Sequence, residues 1–462
     1  MTDEDIHDLA VLGAGSGGMA AARRAREAGL SVVQFERGAA GGTCVNRGCV
    51  PKKLLVHASR RGDALRTCAA QGWSTGGIDF DWARLRDRVA AAVRDLSMSQ
   101  ERSLIDEGVH YVEAAATLVA ADRVRTDDGR EYRARNIIVA TGSRPLVPDL
   151  PGAEHALVSD ELFTLEHLPD RIAMIGGGYI AVEFAALLRR FGAEVTIFES
   201  GERILDGFEP DIVERLDTSL REDGIEIRTD AKVACLEKDD DRLALELDDG
   251  SRRTGFDAVA LVIGRNANTD AIGLEDIGVE LDDDGLISTD EHGRTNVPGV
   301  YAIGDVAHAL QLTPVAVRSG QNVVDGIVGR HVEPIRESHV PSGVYATPEL
   351  GSVGLDEAAA KAAGHAFDVR RADFEPLSGM LAGSADKVLV KLLVERATAT
   401  VLGVHVCGQD AAEIAQLAAT LLEAGVTGHH LYRTIALHPT NAEEIVALGE
   451  PRRSPGEDAG AD

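Results

Sequence analysis

A strand–glycine–helix–strand unit that occurs twice constrains this chain more than any other feature. In the first copy, "HDLAVLGAGSGGMAAARRAREAGLSVVQFERG", the apolar residues 9–12 predict a buried strand running into Gly13-Ala14-Gly15-Ser16-Gly17-Gly18. An alanine-rich helix follows, then a second strand that ends at Glu36. Glycine serves the tight turn at 13, close backbone approach to a pyrophosphate at 15, and helix–strand packing at 18. The helix N-terminus then offers unpaired N–H groups to phosphate, and the strand-end acid is placed to accept from a ribose. The second copy, "RIAMIGGGYIAVEFAALLRRFGAEVTIFES", sets Gly176, Gly178 and Ala181 in the same places. Each acid, Glu36 or Glu199, follows the first glycine of its copy by 23 residues. One such motif is weak evidence; two with matching spacing predict two dinucleotides on separate α/β units.

With 462 residues, the chain is too long for a single core. It carries 76 acidic against 47 basic residues, a net charge of −29, which opposes nucleic acid and anionic membranes as partners. No stretch approaches the ~18–20 apolar residues of a membrane span. The acidic start "MTDEDIHDLAVLG" enters a strand at once and does not read as a secretory signal, so a cytoplasmic location is expected. Thiols there are normally kept reduced.

Against that background "GGTCVNRGCVPKK" stands out. Cys44 and Cys49 are two of only five cysteines. A structural disulfide, a metal half-site and a redox pair are the alternatives. A metal site needs two more ligands at suitable spacing, and Cys68, Cys235 and Cys407 stand alone, as small buried apolar residues do. No metal is expected. The redox pair is the reading adopted.

Two further stretches, "NIIVATGSRP" with Ala140, Thr141 and Gly142, and "GVYAIGDVAHALQLTPVAV" with Gly304, Asp305 and Thr313, each break a short apolar strand with a polar glycine turn. After residue 341 strand-like runs mix with an amphipathic helix, an α+β pattern. With "GGTCVNRGCVPKK", "GGGYIAVEFA", "AIGDV" and "HPTNAEE" in this order, the chain resembles the class I pyridine nucleotide–disulfide oxidoreductases over essentially its whole length, and "CVPKK" is closest to their glutathione reductase branch.

The resemblance implies two Rossmann-like FAD- and NAD(P)-binding domains plus a C-terminal dimerisation domain. The expected boundaries are 1–150 for FAD, 151–267 for NAD(P), 268–340 returning to the first domain, 341–450 for dimerisation and 451–462 as a disordered acidic tail. It also implies electron flow from NAD(P)H through FAD and Cys44–Cys49 to a small disulfide such as glutathione disulfide, in a homodimer whose active sites are shared across subunits. The runners-up are a dihydrolipoamide dehydrogenase-type enzyme and a flavin redox sensor without turnover.

By position, Cys44 would be the interchange thiol and Cys49 the thiol beside the flavin. Lys52 would pair with Glu183 near the flavin, with Lys53 an alternative to Lys52. Tyr179 would lid the nicotinamide pocket, and His438 with Glu443 would move protons to and from thiols. FAD would contact Gly13, Gly15, Ser16, Gly17, Gly18, Glu36, Gly42, Thr43, Lys52, Ala140–Gly142, Gly304, Asp305 and Thr313. The nicotinamide nucleotide would contact Gly176, Gly178, Tyr179, Ile180, Glu183, Glu199, Ser200 and Gly264. Ser16, Arg23 and His438 would meet substrate. Two departures from the family pattern bear on specificity: Gln100 where a tyrosine is common, and Gln321 where some members carry arginine. Glu199, Ser200 and Asp206 stand where NADPH enzymes present a 2′-phosphate site, which favours NADH although Arg203 lies close by. Arg47 is expected to be exposed.

Overall fold

The computed structural model describes residues 6–450 except 75, 78 and 383–386; the expected acidic tail 451–462 lies outside the described residues. Both glycine units form parallel sheets of the same strand order. In the first, His110–Glu113, Val32–Glu36, Ile6–Leu12, Glu131–Val139 and Val300–Ala302 lie side by side in parallel. The second repeats this with Glu226–Arg228, Glu194–Phe198, Arg171–Ile175, Ala258–Leu261 and Leu157–Val158. Within the central strands Ile6–Leu12 and Arg171–Ile175, residues 9–12 and 172–175 are apolar because both faces are covered, one by helices and the other by antiparallel strands.

An antiparallel meander is attached to each sheet at the same point. In the first unit Ala116–Ala120 pairs with Arg123–Thr126, which pairs with the start of Glu131–Val139, and that strand runs parallel to Ile6–Leu12 from Arg133 onward. In the second the meander Val233–Asp239, Arg242–Leu247, Arg252–Phe256 is a separate sheet, and the chain breaks at Asp257 before re-entering as Ala258–Leu261. The mixed α/β class expected from sequence is what the chain adopts.

The helix Thr313–Ile327 returns to the first unit and lies against its glycine helix Ser16–Glu27. The approach is close: a Cβ on Gly320 would stand 2.5 Å from the Gly17 carbonyl oxygen. From Ser342 onward a five-stranded antiparallel sheet forms, in the order Ser342–Val344, Glu349–Gly354, Val401–Gly408, Val388–Glu395, Phe367–Phe374, with helix Ala411–Glu423 packed on it. Within it Lys391 has no exposed surface, and its ammonium is within 2.7 Å of Glu209 and Asp211 of the second unit and also contacts Glu357. Among the described residues, no helix is long and apolar enough to cross a membrane.

Candidate active site

The cysteines sit where a short helix breaks. Gly42–Arg47 carries Cys44, the chain turns at Gly48, and Cys49 opens the helix Cys49–Thr67. Gly48 permits the break, since a Cβ there would lie 2.9 Å from the Thr43 carbonyl oxygen. In the sequence Gly48 shows itself only as the glycine between the two cysteines. Cys49 therefore occupies a helix N-terminus, where the dipole favours a thiolate.

The cysteine segment rests on the first glycine loop. A Cβ on Gly42 would come 2.7 Å from Gly15 Cα, so the two glycines meet backbone to backbone, and Gly42 itself takes φ +59°. The amide of Gly41 donates to the Ala14 carbonyl at 2.8 Å. Asn46 Nδ2 bonds the carbonyls of Ala39, Ala40 and Gly42, which anchors the turn that leads in.

Both cysteines are free. Thr313 Oγ1, at the start of the returning helix, lies 3.7 Å from Cys49 Sγ. The Cys49 thiol is pulled down to about 6, first by the hydrogen bond from Cys44, then by Thr313 and the charge of Lys52, against the desolvation of its surroundings. Cys44 is pushed up by that same bond and by burial. Of the pair, Cys49 is therefore the thiol that gives up its proton first.

Lys52, not Lys53, makes the expected ion pair. Its Nζ is 2.8 Å from Glu183 Oε1, and the Glu183 side chain is only 3% exposed. Lys53 points instead to Glu349, at 3.8 Å. Tyr179 opens the second glycine helix and is 43% exposed. Ile180, next to it, packs against the core around that helix.

The two strand-end acids behave alike. Glu36 accepts from the amides of Ala14 and Gly38, and Glu199 from those of Gly177 and Gly201. Each carboxylate pins its glycine loop, which the expectation of a ribose contact alone did not include. Ser200 Oγ donates to Glu199 at 3.1 Å, and Arg203 pairs with Asp206 at 3.0 Å.

Both helices that begin at a glycine loop have no side-chain cap and no acid in the first turn, so their first N–H groups suit a pyrophosphate. Asp305 accepts from Ser143 Oγ at 2.7 Å, and Arg265 Nε donates to the same hydroxyl. Asn268 holds the Thr141–Gly142 turn through Thr141 Oγ1 and the Thr141 and Gly142 carbonyls. Gly264 lies at the edge of this region, and its carbonyl accepts from Leu146. These partners come from residues 264–268, where only Gly264 was anticipated. The donors and bare loops fit FAD in the first unit and a nicotinamide nucleotide in the second.

A cleft of about 410 Å³ opens over Cys44, lined among others by Ser16, Arg23, Gln100, Thr313 and Gln321. Arg23 is held by Gln100 Oε1 at 2.9 Å and faces Glu107 at 3.2 Å. His438 is not in this cleft. It lines a separate pocket with Tyr432 and Glu443, and its Nδ1 is 3.1 Å from both Glu443 oxygens.

Other expectations are corrected or completed. Cys407 is buried, but Cys68 and Cys235 are half-exposed. Cys68 begins a short turn after its helix ends, and Cys235 lies on an outer strand of the three-stranded meander. Arg47 is exposed as expected and pairs with Asp160 at 3.3 Å.

Comparison with known proteins matches residues 7–320 to the family model described as pyridine nucleotide-disulphide oxidoreductase. The chain belongs to this family. Residues 340–448 match the family's dimerisation domain. The chain is 39% identical over 445 residues to a glutathione reductase of Burkholderia cepacia, covering 96% of this chain and 99% of that one. It is 38% identical over 460 residues to a chloroplastic/mitochondrial glutathione reductase of Pisum sativum, covering 96% and 83%. A trypanothione reductase of Trypanosoma congolense is 35% identical over 469 residues, covering 96% and 95%. As a pyridine nucleotide-disulphide oxidoreductase, the protein is a flavoenzyme that uses FAD and NAD(P)H.

Proposed function

We propose that the protein reduces glutathione disulfide or a close low-molecular-weight relative, as a homodimer, with NADH preferred. The observation that carries this reading is the cleft that joins Cys44 to Ser16 and Arg23, with the charge of the dithiol resting on Cys49. The first glycine loop, Asp305 and the Lys52 region would hold FAD, which when bound would supply the two-electron relay between nicotinamide and the cysteines. Cys44 attacks one sulfur of the substrate; the S–S bond breaks, a mixed disulfide forms and the departing thiolate takes a proton. Cys49 then attacks Cys44, the second thiol leaves, and the Cys44–Cys49 disulfide forms with two electrons passed to substrate. His438, oriented by Glu443, takes the proton of the Cys44 thiol as it attacks and delivers it to the departing thiolate.

Two features support a site shared across subunits. His438 is 80% exposed in its side chain and apart from the cysteine cleft, and Ile435 and Leu437 beside it are 92% and 74% exposed. Such apolar exposure marks a surface covered by a partner. A mixture of Cys44→Ser and His438→Gln chains tests this. Each mixed dimer then has one wholly intact site, so statistical exchange restores about a quarter of the wild-type activity. No recovery would sink the shared site.

The preference for NADH is supported by Glu199 at the strand end and by Arg203, whose charge is engaged by Asp206. A carboxylate at this point accepts ribose hydroxyls and repels a 2′-phosphate. The FAD-loaded enzyme assayed against glutathione, glutathione amide, bis-γ-glutamylcystine and lipoamide disulfides with each nicotinamide tests the whole reading. Turnover of lipoamide alone overturns the substrate, and a tenfold or larger kcat/KM for NADPH overturns the cofactor preference.

A further inference from the structure

Tyr345 lies outside every motif that points to the reaction. It follows the strand Ser342–Val344, the first of the C-terminal sheet, and is half-buried. Its ring centroid is 4.1 Å from Lys52 Nζ and 3.7 Å from Lys53 Nζ. Its amide donates to Glu183 Oε1 at 2.8 Å, the same oxygen that accepts from Lys52. Lys52 belongs to the cysteine helix, Glu183 to the second glycine helix and Tyr345 to the third sheet region. All three meet at one residue.

The residues after Tyr345 continue the contact. Arg60, also on the cysteine helix, donates to the Ala346 carbonyl and pairs with Glu349 at 2.6 Å. Arg190 of the second glycine helix donates to the Thr347 carbonyl at 3.3 Å. The segment 345–349 thus presents an aromatic face, two carbonyls and a carboxylate to four cations. Adjacent lysines repel each other, and a ring face attracts both ammonium groups without taking a proton from either.

We propose that Tyr345 is a positioning residue for the reaction centre: its ring and amide hold Lys52 against Glu183 and keep Lys53 on the Glu349 side, so that the charge of Lys52 acts on Cys49. The proposal rests on Cys49 being the ionised member of the pair. The ring does this as a π-face; its hydroxyl is not required.

Replacing Tyr345 with phenylalanine and then with mono-, di- and trifluorophenylalanine weakens the ring's attraction for a cation stepwise with little change of shape. The readout is the pH dependence of Cys49 alkylation in the reduced, FAD-loaded enzyme, resolved by residue with mass spectrometry. Tyr345→Phe retains the wild-type inflection, and the fluorinated series moves it upward in steps to a total of about half a unit. Turnover with unchanged KM for disulfide declines in the same order. An inflection that stays put across the series overturns the proposal. Tyr345→Leu, where it folds, matches the trifluoro variant; a wild-type inflection in it also overturns the proposal. Alkylation needs no disulfide substrate, so failure of the proposed activity and failure of this inference are read separately.

Discussion

The two glycine units share a strand order and the strand-end acid that pins the loop, yet they solve the third small-residue position differently. In the first, a Cβ on Gly18 would stand 2.1 Å from the Gly13 carbonyl oxygen, which is held by a bond from the buried Gln34. In the second, Ala181 carries a real Cβ with no exposed surface, and the apolar Ile197 occupies the position of Gln34. Only the first unit carries a cysteine helix across its loop, through Gly15 and Gly42. The second sends Glu183 to meet that helix from outside. One unit brings backbone to the cysteine segment, the other brings a charge.

Removing the charge that bridges the units has the largest expected effect. Lys52→Met leaves Glu183 buried without its cation and destabilises by about 3 kcal/mol, measured by denaturant unfolding. It also withdraws a positive charge that favours the Cys49 thiolate. Wild-type alkylation at Cys49 falls as pH drops through about 6, because the thiol regains its proton there. In Lys52→Met the fall begins at higher pH; an unchanged midpoint refutes the electrostatic account.

Copying the second unit's alanine into the first is next. Gly18→Ala drives a Cβ into a backbone oxygen and costs about 2–3 kcal/mol, with FAD retention reduced alongside. A variant as stable as wild type would show that the loops are interchangeable. Asp206→Arg alters the second unit alone: it frees Arg203 and adds a cation, raising kcat/KM for NADPH about tenfold, or about 1.4 kcal/mol. The reverse swap is the mildest. Ala181→Gly should cost about 1 kcal/mol in thermal unfolding, the helix propensity difference, and leave FAD content unaltered.

Much of this site was legible because its requirements are local. Gly13, Gly176 and the acids Glu36 and Glu199 declare themselves by spacing, since a tight turn, a helix start and a strand end lie within one stretch of chain. The Cys44–Cys49 pair was legible for the same reason. Tyr345 and the 264–268 partners of the Thr141–Gly142 turn carried no such signal, because the residues they hold lie more than a hundred positions away. Gln34 lies within the first unit itself, but its residue type does not announce that it holds the Gly13 carbonyl.

By itself, the sequence determined the two dinucleotide units, the dithiol and the family, because periodicity, glycine placement and short spacings act through neighbours on the chain. Only the tertiary structure decided that Lys52 rather than Lys53 meets Glu183, that Cys49 holds the charge, and that His438 stands apart from the cysteines of its own chain. Each depends on which helix face packs inward and which element closes over it, and that is settled by contacts among regions far apart in sequence.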